Sequence, residues 1–431
     1  MAVSADPEPA KPRPAGSLAR TFASLRVRNF RLFIAGQLLS GIGTWMQGVA
    51  APWLVLQLTH SGVALGIDTA LQFLPILLFG AWGGVFADRF DNRRIQLATQ
   101  VAFAVPAFGL WALVVTHVVR VWMVYALSFL SGMVTAVDMP TRQSFYLEMV
   151  GSDDLTNAMS LTTATFTGTR MIGPVIAGLL IATVGTAPVF LINGISYFAV
   201  AAALLAMRPA DLRPRPRVAR RRGQIREGIR YVWQTPALRM PLLVMAFVFL
   251  FGFNFSVLLP LLAVRTFHGG AGAYGVLLSL FGAGSLAGAL FLAARSARAN
   301  PRRLVVLALA LGGLSIALAA APGLPVAWAL MPFLGAAGIA FAITGNSTLQ
   351  LTSSGVMRGR VMALYTVVFL GSTPIGGPIA GWVGQHLGAR VGLAGGGVIA
   401  MAAGLVALGA QGMWRRTSGE GASAGAVPAR R

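Results

Sequence analysis

Twelve apolar stretches, each nineteen residues or longer and free of clustered charge, run the length of this 431-residue chain. They lie at approximately 30–58, 63–86, 95–116, 121–139, 156–184, 187–206, 240–264, 272–294, 303–321, 325–348, 361–384 and 391–413. A hydrocarbon core about 30 Å thick needs roughly 20 such residues per helix, and lipid tolerates only segments whose backbone donors and acceptors are satisfied internally. The pattern predicts an all-α polytopic membrane protein with twelve transmembrane helices. Charged residues make up 11% of the chain, against about one quarter in soluble domains, which excludes a large water-soluble enzyme.

The chain holds 34 basic and 12 acidic residues, a net charge of +22, and such an excess raises nucleic acid as a partner. Position explains it better. With the N-terminus inside, thirty of the 34 basic residues fall on the cytoplasmic side; Arg120, Arg265 and Arg390 lie on the other side, and Arg170 lies within a span. That sorting sets orientation. Both termini are therefore expected to be cytoplasmic, in a multi-pass protein of a bacterial inner membrane, with the lipid bilayer as solvent and no nucleic acid as partner. Residues 1–28 carry no apolar stretch followed by a small-residue cleavage site, so the first span is expected to act as an uncleaved insertion signal. Cysteine is absent and the four histidines (His60, His117, His268, His386) are scattered, so no disulfide, metal site or cofactor is expected. No G-x4-G-K-[ST] signature occurs, and no intramembrane serine has a neighbouring base, so catalysis is not expected.

The longest loop, 207–239, divides the spans into two six-helix bundles, 29–206 and 240–414, with disordered cytoplasmic tails expected at 1–28 and 415–431. Within the loop, Ile225, Ile229, Val232 and Trp233 recur at helical spacing, which predicts a short amphipathic helix on the inner surface. An internal repeat supports the division. At an offset of 203 residues, Gly168 maps to Gly371, Gly173 to Gly376, Ile176-Ala177-Gly178 to Ile379-Ala380-Gly381, and Gly185 to Gly388. Equivalent positions in two halves are what duplicated transporter folds show. The pseudo-symmetric arrangement is expected to act as a monomer.

Three charges fall inside spans: Asp68, Asp138 and Arg170. Each costs roughly 2.5–3.5 kcal/mol on insertion scales and so tends to be paired or functional. Asp68 and Arg170 lie at similar depths in the outer half, which allows an ion pair if their helices face each other. Polar stripes come next. Gln37, Ser40, Thr44 and Gln47 recur at i, i+3, i+7 and i+10, as do Ser128, Ser131, Thr135 and Asp138, and Ser160, Thr163, Thr167 and Arg170. At 100° per residue each set occupies one arc of its helix. Either these arcs line a water-filled cavity, to which Gln72 and Asn254 would add, or their small hydroxyl residues simply let helices pack closely.

The loop between the second and third spans reads Gly84-Val85-Phe86-Ala87-Asp88-Arg89-Phe90-Asp91-Asn92-Arg93-Arg94. It resembles the G-x-L-a-D-r-x-G-r-[KR] signature of the major facilitator superfamily, with Gly84, Asp88 and Arg89 matching, Asp91 at the second glycine, Asn92 at a usually basic position, and Arg93 and Arg94 supplying charge. Gly168-x4-Gly173-Pro174-x3-Gly178 is similar to the antiporter signature of the drug-exporting branches. Asn29-Phe30-Arg31-Leu32-Phe33, Gly43-Thr44-Trp45-Met46-Gln47 and Trp53-Leu54-Val55-Leu56 look like the subgroup containing enterobactin and macrolide exporters.

The resemblance implies a secondary active exporter of small, bulky amphipathic molecules, drug-like or siderophore-like, that alternates access between two six-helix halves in antiport with protons. It makes Gly84, Asp88, Arg89 and Arg93 a gating loop that latches the halves in the outward-open state, with Asp138 as the acid facing its arginine. Gly173, Pro174 and Gly178, with Gly377 and Pro378, would be helix pivots. Asp68 is then the candidate proton-coupling group, and Arg170 its partner or an anion ligand. A proton-independent facilitator or importer, and a non-transporting membrane receptor, are the alternatives.

Overall fold

A computed structural model of the protein describes residues 23–213, 224–294, 301–355 and 357–423. Tail residues 1–22 and 424–431, and linker residues 214–223, lie outside the described residues. The spanning helices are α1 (Arg28–Thr59), α2 (Gly62–Arg89), α3 (Asn92–Val115), α4 (121–150), α5 (152–184), α6 (Ala187–Ala206), α7 (Pro236–Thr266), α8 (Ala271–Ala294), α9 (Pro301–Ala319), α10 (Leu324–Thr352), α11 (Arg358–His386) and α12 (Ala389–Ser423). Among the described residues, ten helical segments are long and apolar enough to cross a membrane. One of them, Val121–Val184, contains both α4 and α5, and α1, whose glutamines lower its hydropathy, completes the twelve. The amphipathic segment is helical over Gln224–Gln234, and α12 continues through residues 415–423 to Ser423.

Local chemistry explains the breaks. Gly151, at φ 75°, separates α4 from α5; a side chain there would need a left-handed backbone and would run into the Arg213 guanidinium. Gly185 and Gly388, which the repeat pairs, end α5 and α11 at φ 92° and 96°. Three histidines gain a role from the same geometry. His60, His117 and His268 follow the ends of α1, α3 and α7 at φ 49°, 58° and 51°, a conformation in which histidine is several-fold enriched among non-glycine residues.

The halves touch along two seams, α2 against α11 and α5 against α8. A Cβ added at Gly66 would lie 2.6 Å from the Gly377 carbonyl oxygen and 2.8 Å from Pro378 Cα, and one at Gly62 would lie 2.7 Å from the Gly381 oxygen. On the other seam, a Cβ at Gly275 would meet the Pro174 oxygen at 2.5 Å and Gly178 Cα at 2.9 Å. Small residues thus let backbones approach directly. The glycine contacts of both seams lie in the part of the molecule opposite the basic loops, and hydrogen bonds join the halves there. Gln385 Oε1 accepts from Ser61 Oγ at 2.6 Å and from Val63 N at 3.0 Å. The Arg265 guanidinium donates across to the His60 carbonyl and, within its own half, to the Gln385 carbonyl.

The C-terminal half packs a phenylalanine cluster, with Phe249 edge-on to Phe253, Phe341 and Phe369 and Phe255 tilted against Phe281. The N-terminal half buries polar side chains as well, including Asp138, Gln96, Gln100 and Asn193.

Candidate functional site

The face of α5 that closes against α8 at Arg170, Pro174 and Gly178 continues toward the basic end as Phe166, Thr163 and Met159, all on one arc. There it is uncovered: Phe166 is 56% exposed and Met159 39%, and Thr163 is exposed as well. On the facing half, Leu290 near the end of α8 is likewise exposed. The helices therefore meet at one end and part toward the other, leaving a cleft between the halves that opens at the basic end and is sealed opposite.

Arg170 stands at the apex of this cleft. Its guanidinium lies 5.2 Å from the centroid of Trp45 on α1 and 4.8 Å from that of Phe281 on α8, and Phe166 packs edge-on to Trp45 at 5.5 Å. Asp68 lies elsewhere. Its carboxylate is buried at the α2–α4 contact and accepts a 2.7 Å hydrogen bond from Ser128 Oγ. The pairing that their depths allow is not formed: among the described residues no ion pair joins Asp68 to Arg170, since α2 turns Asp68 toward α4 while α5 turns its arginine toward α8.

The α1 stripe faces its own half. Gln37 accepts from Arg142 at 3.2 Å, Thr44 lies 3.5 Å from the Tyr197 hydroxyl, and Gln47 accepts from Asn193 at 2.6 Å. Ser40 is buried, with its carbonyl accepting from Thr44. On α4, the hydroxyls of Ser131 and Thr135 donate to the carbonyls one turn back, as do those of Thr163 and Thr167 on α5. Gln72 is exposed on α2.

Asp138 is fully buried and paired with Arg142, and it also accepts from Gln96 at 3.0 Å and Thr99 at 2.7 Å. Sequence reading placed Arg142 in a loop by ending the fourth span at residue 139. In the structure α4 runs on to residue 150 and carries Arg142 into the bundle one turn below its partner. The i, i+4 spacing of Asp138 and Arg142 was the available signal, as was Gln96-x2-Thr99-Gln100 on one arc of the third span.

Gly84 is buried within α2, and the Asp88 side chain lies outside the described residues. Arg89 is exposed. Arg93 donates to the carbonyls of Leu204 and Leu205 at the end of α6, Asp91 caps α3 through the Arg94 amide, and Asn92 donates to Glu148 at 2.6 Å. These four contacts stay within the N-terminal half.

The remaining candidates sit at two separate helix crossings, α5 on α1 and α11 on α7. Gly173 packs against Trp45, where a Cβ would approach the tryptophan Cβ to 2.6 Å. Its repeat mate Gly376 packs against Asn254, where a Cβ would lie 2.9 Å from both amide atoms. Asn254 is buried at an interruption of α7 and donates to the Leu250 carbonyl at 2.7 Å. Gly377 and Pro378 belong to the α2–α11 seam described above.

Comparison with known proteins adds a lineage. A family model described as transmembrane secretion effector matches residues 19–417. The staphyloferrin A transporter of Staphylococcus aureus is 26% identical over 61% of this chain and 66% of its own length. The multidrug efflux pump Tap of Mycolicibacterium fortuitum is 28% identical over 82% and 90% respectively. Among solved structures, a bacterial homologue of the human lysosomal transporter Spinster, inward-facing and unoccupied, superposes with a TM-score of 0.70 at 14% identity, covering 91% of this chain and 98% of that one.

Proposed function

The chain belongs to the transmembrane secretion effector family of the major facilitator superfamily, non-enzymatic membrane transporters of small molecules, and from that premise we propose that it exports amphipathic, drug-like or siderophore-like molecules from the cytoplasm in exchange for protons. The observation that carries this reading is the cleft: sealed at the end poor in basic residues, open at the basic end, and bearing a cation and aromatic rings at its apex. Basic loops face the cytoplasm, so the cleft is a cytoplasmic entry. Two relatives, Tap and the enterobactin exporter EntS of Shigella boydii, are named for outward transport. Rocking the halves about the apex would break the glycine seams and bring the basic ends together, with the Gly84–Arg93 loop then free to meet the other half.

Asp68 is the coupling group in this scheme. It is 3% exposed, at the helix contact beside the α2–α11 seam, and its only hydrogen-bond partner among the described residues is Ser128. Parting the seam changes the hydration of α2, so proton binding at Asp68 and opening are linked. Inverted membrane vesicles loaded by a pH gradient test this. The wild-type protein should accumulate a fluorescent amphipathic dye faster with the gradient than without, and Asp68→Asn should abolish the difference. A normal gradient response from Asp68→Asn, or wild-type transport indifferent to an uncoupler, refutes the coupling.

A further inference from the structure

We propose that Arg170, Trp45 and Phe166 form a subsite for an organic anion, a carboxylate or similar group carried on a flat apolar ring system. Charges within the membrane are normally paired, and the other two obey the rule, Asp138 with Arg142 and Asp68 with a hydroxyl. Arg170 does not. Among the described residues it makes no ion pair and no hydrogen bond, and its contacts are the ring faces of Trp45 and Phe281.

That arrangement has a directional consequence. A guanidinium that rests on rings and has no protein acceptor among the described residues keeps its N–H donors for a ligand, and their fork matches a carboxylate. Phe281 is 1% exposed and unavailable to a ligand, whereas Phe166 is 56% exposed, one turn nearer the open end, edge-on to Trp45. A ligand entering from the basic end would therefore meet a ring wall first and an unpaired cation behind it. A neutral solute would leave the cation unsatisfied, and a cationic one would be repelled.

The reading also assigns Arg170 a place in the cycle. It belongs to α5 but rests on Phe281 of the opposite half, so an anion that draws the guanidinium into the cleft weakens a contact between the halves at the point about which they rock.

The inference deepens the export reading by naming a substrate class, but its test is equilibrium binding to the full chain in lipid nanodiscs, read without transport, so either can fail alone. The probes are 1-naphthoate, 1-naphthamide and 1-naphthylmethylammonium, which share one ring system and differ in charge. Wild-type protein should bind the naphthoate about ten-fold or more tightly than the amide, with the ammonium weakest. Arg170→Gln should erase that preference, Arg170→Lys should retain part of it, and Phe166→Ala should weaken naphthoate and amide alike while keeping it. Equal affinity of the wild-type protein for the three probes overturns the proposal whatever the folding of the variants, and so does an Arg170→Gln protein that still prefers the naphthoate.

Discussion

Replacing Gln385 by alanine tests the seal between the halves where it is held by polar groups. The substitution removes two hydrogen bonds across the interface, from Ser61 Oγ at 2.6 Å and Val63 N at 3.0 Å. Val63 lies in the first turn of α2, where backbone N–H groups have no partner within the helix, so Gln385 supplies one from the other half. A hydrogen bond contributes about 0.5–1.5 kcal/mol net. Because these lie at the rim, where water replaces them on opening, the lower half of that range applies, giving about 1–2 kcal/mol for the two and a roughly 5–30-fold shift toward the state open at this end. The Arg265 bonds, which end on backbone carbonyls, survive the change.

The chain has no cysteine, so a single reporter can be placed cleanly. Thr69 is 5% exposed behind the seam, and a Cβ at Gly377 would touch its Cβ at 3.4 Å. In a Thr69→Cys background, Gln385→Ala should raise the rate of labelling by a membrane-impermeant maleimide from the non-basic side by about the same 5–30-fold. Equal labelling rates in folded parent and variant would refute the assignment of these bonds to the seal.

Two further substitutions follow. Gly66→Val forces a branched side chain against Gly377 and Pro378; overpacking costs about 1–3 kcal/mol, so Thr69→Cys should label freely and transport should slow, and a wild-type transport rate would contradict the seam. Asp138→Ala takes the fully buried carboxylate away from a half-buried Arg142 that keeps its bond to Gln37, at a cost of about 1–3 kcal/mol; the thermal midpoint in detergent should fall and recover in the double variant Asp138→Ala/Arg142→Leu, and an unchanged midpoint in the single variant would show that the network contributes nothing to stability.

Much of the architecture could be read from the sequence because lipid imposes it directly. Apolar length marks each span, the bias of arginine between alternate loops sets an orientation, and the 203-residue offset anticipates positions that the structure treats alike: Gly173 and Gly376 against α1 and α7, Gly185 and Gly388 at positive φ. The site was less legible. Periodicity says that Gln37, Ser40, Thr44 and Gln47 share an arc, but not which neighbour the arc meets, and it meets α4 and α6. Depth alone brought Asp68 and Arg170 together, whereas their rotation about α2 and α5 keeps them apart. Arg142 was hidden by an underestimated helix, and Gln385 and Arg265 are single polar residues at span ends, with no pattern to distinguish them before their partners were seen.

The glycine seams have a mechanical meaning for a protein that must cycle. Where Gly62 and Gly66 lie on Gly377 and Gly381, nothing is interdigitated, so the surfaces can separate and rejoin without withdrawing a side chain or freezing a rotamer. Such a closure behaves like two polished faces rather than a plug in a socket. Along these glycines tightness depends on backbone fit alone, so whatever sensitivity the closure has to the water on its far side must enter through the polar links beside them, Gln385 with Ser61 and Val63, and Arg265 with His60.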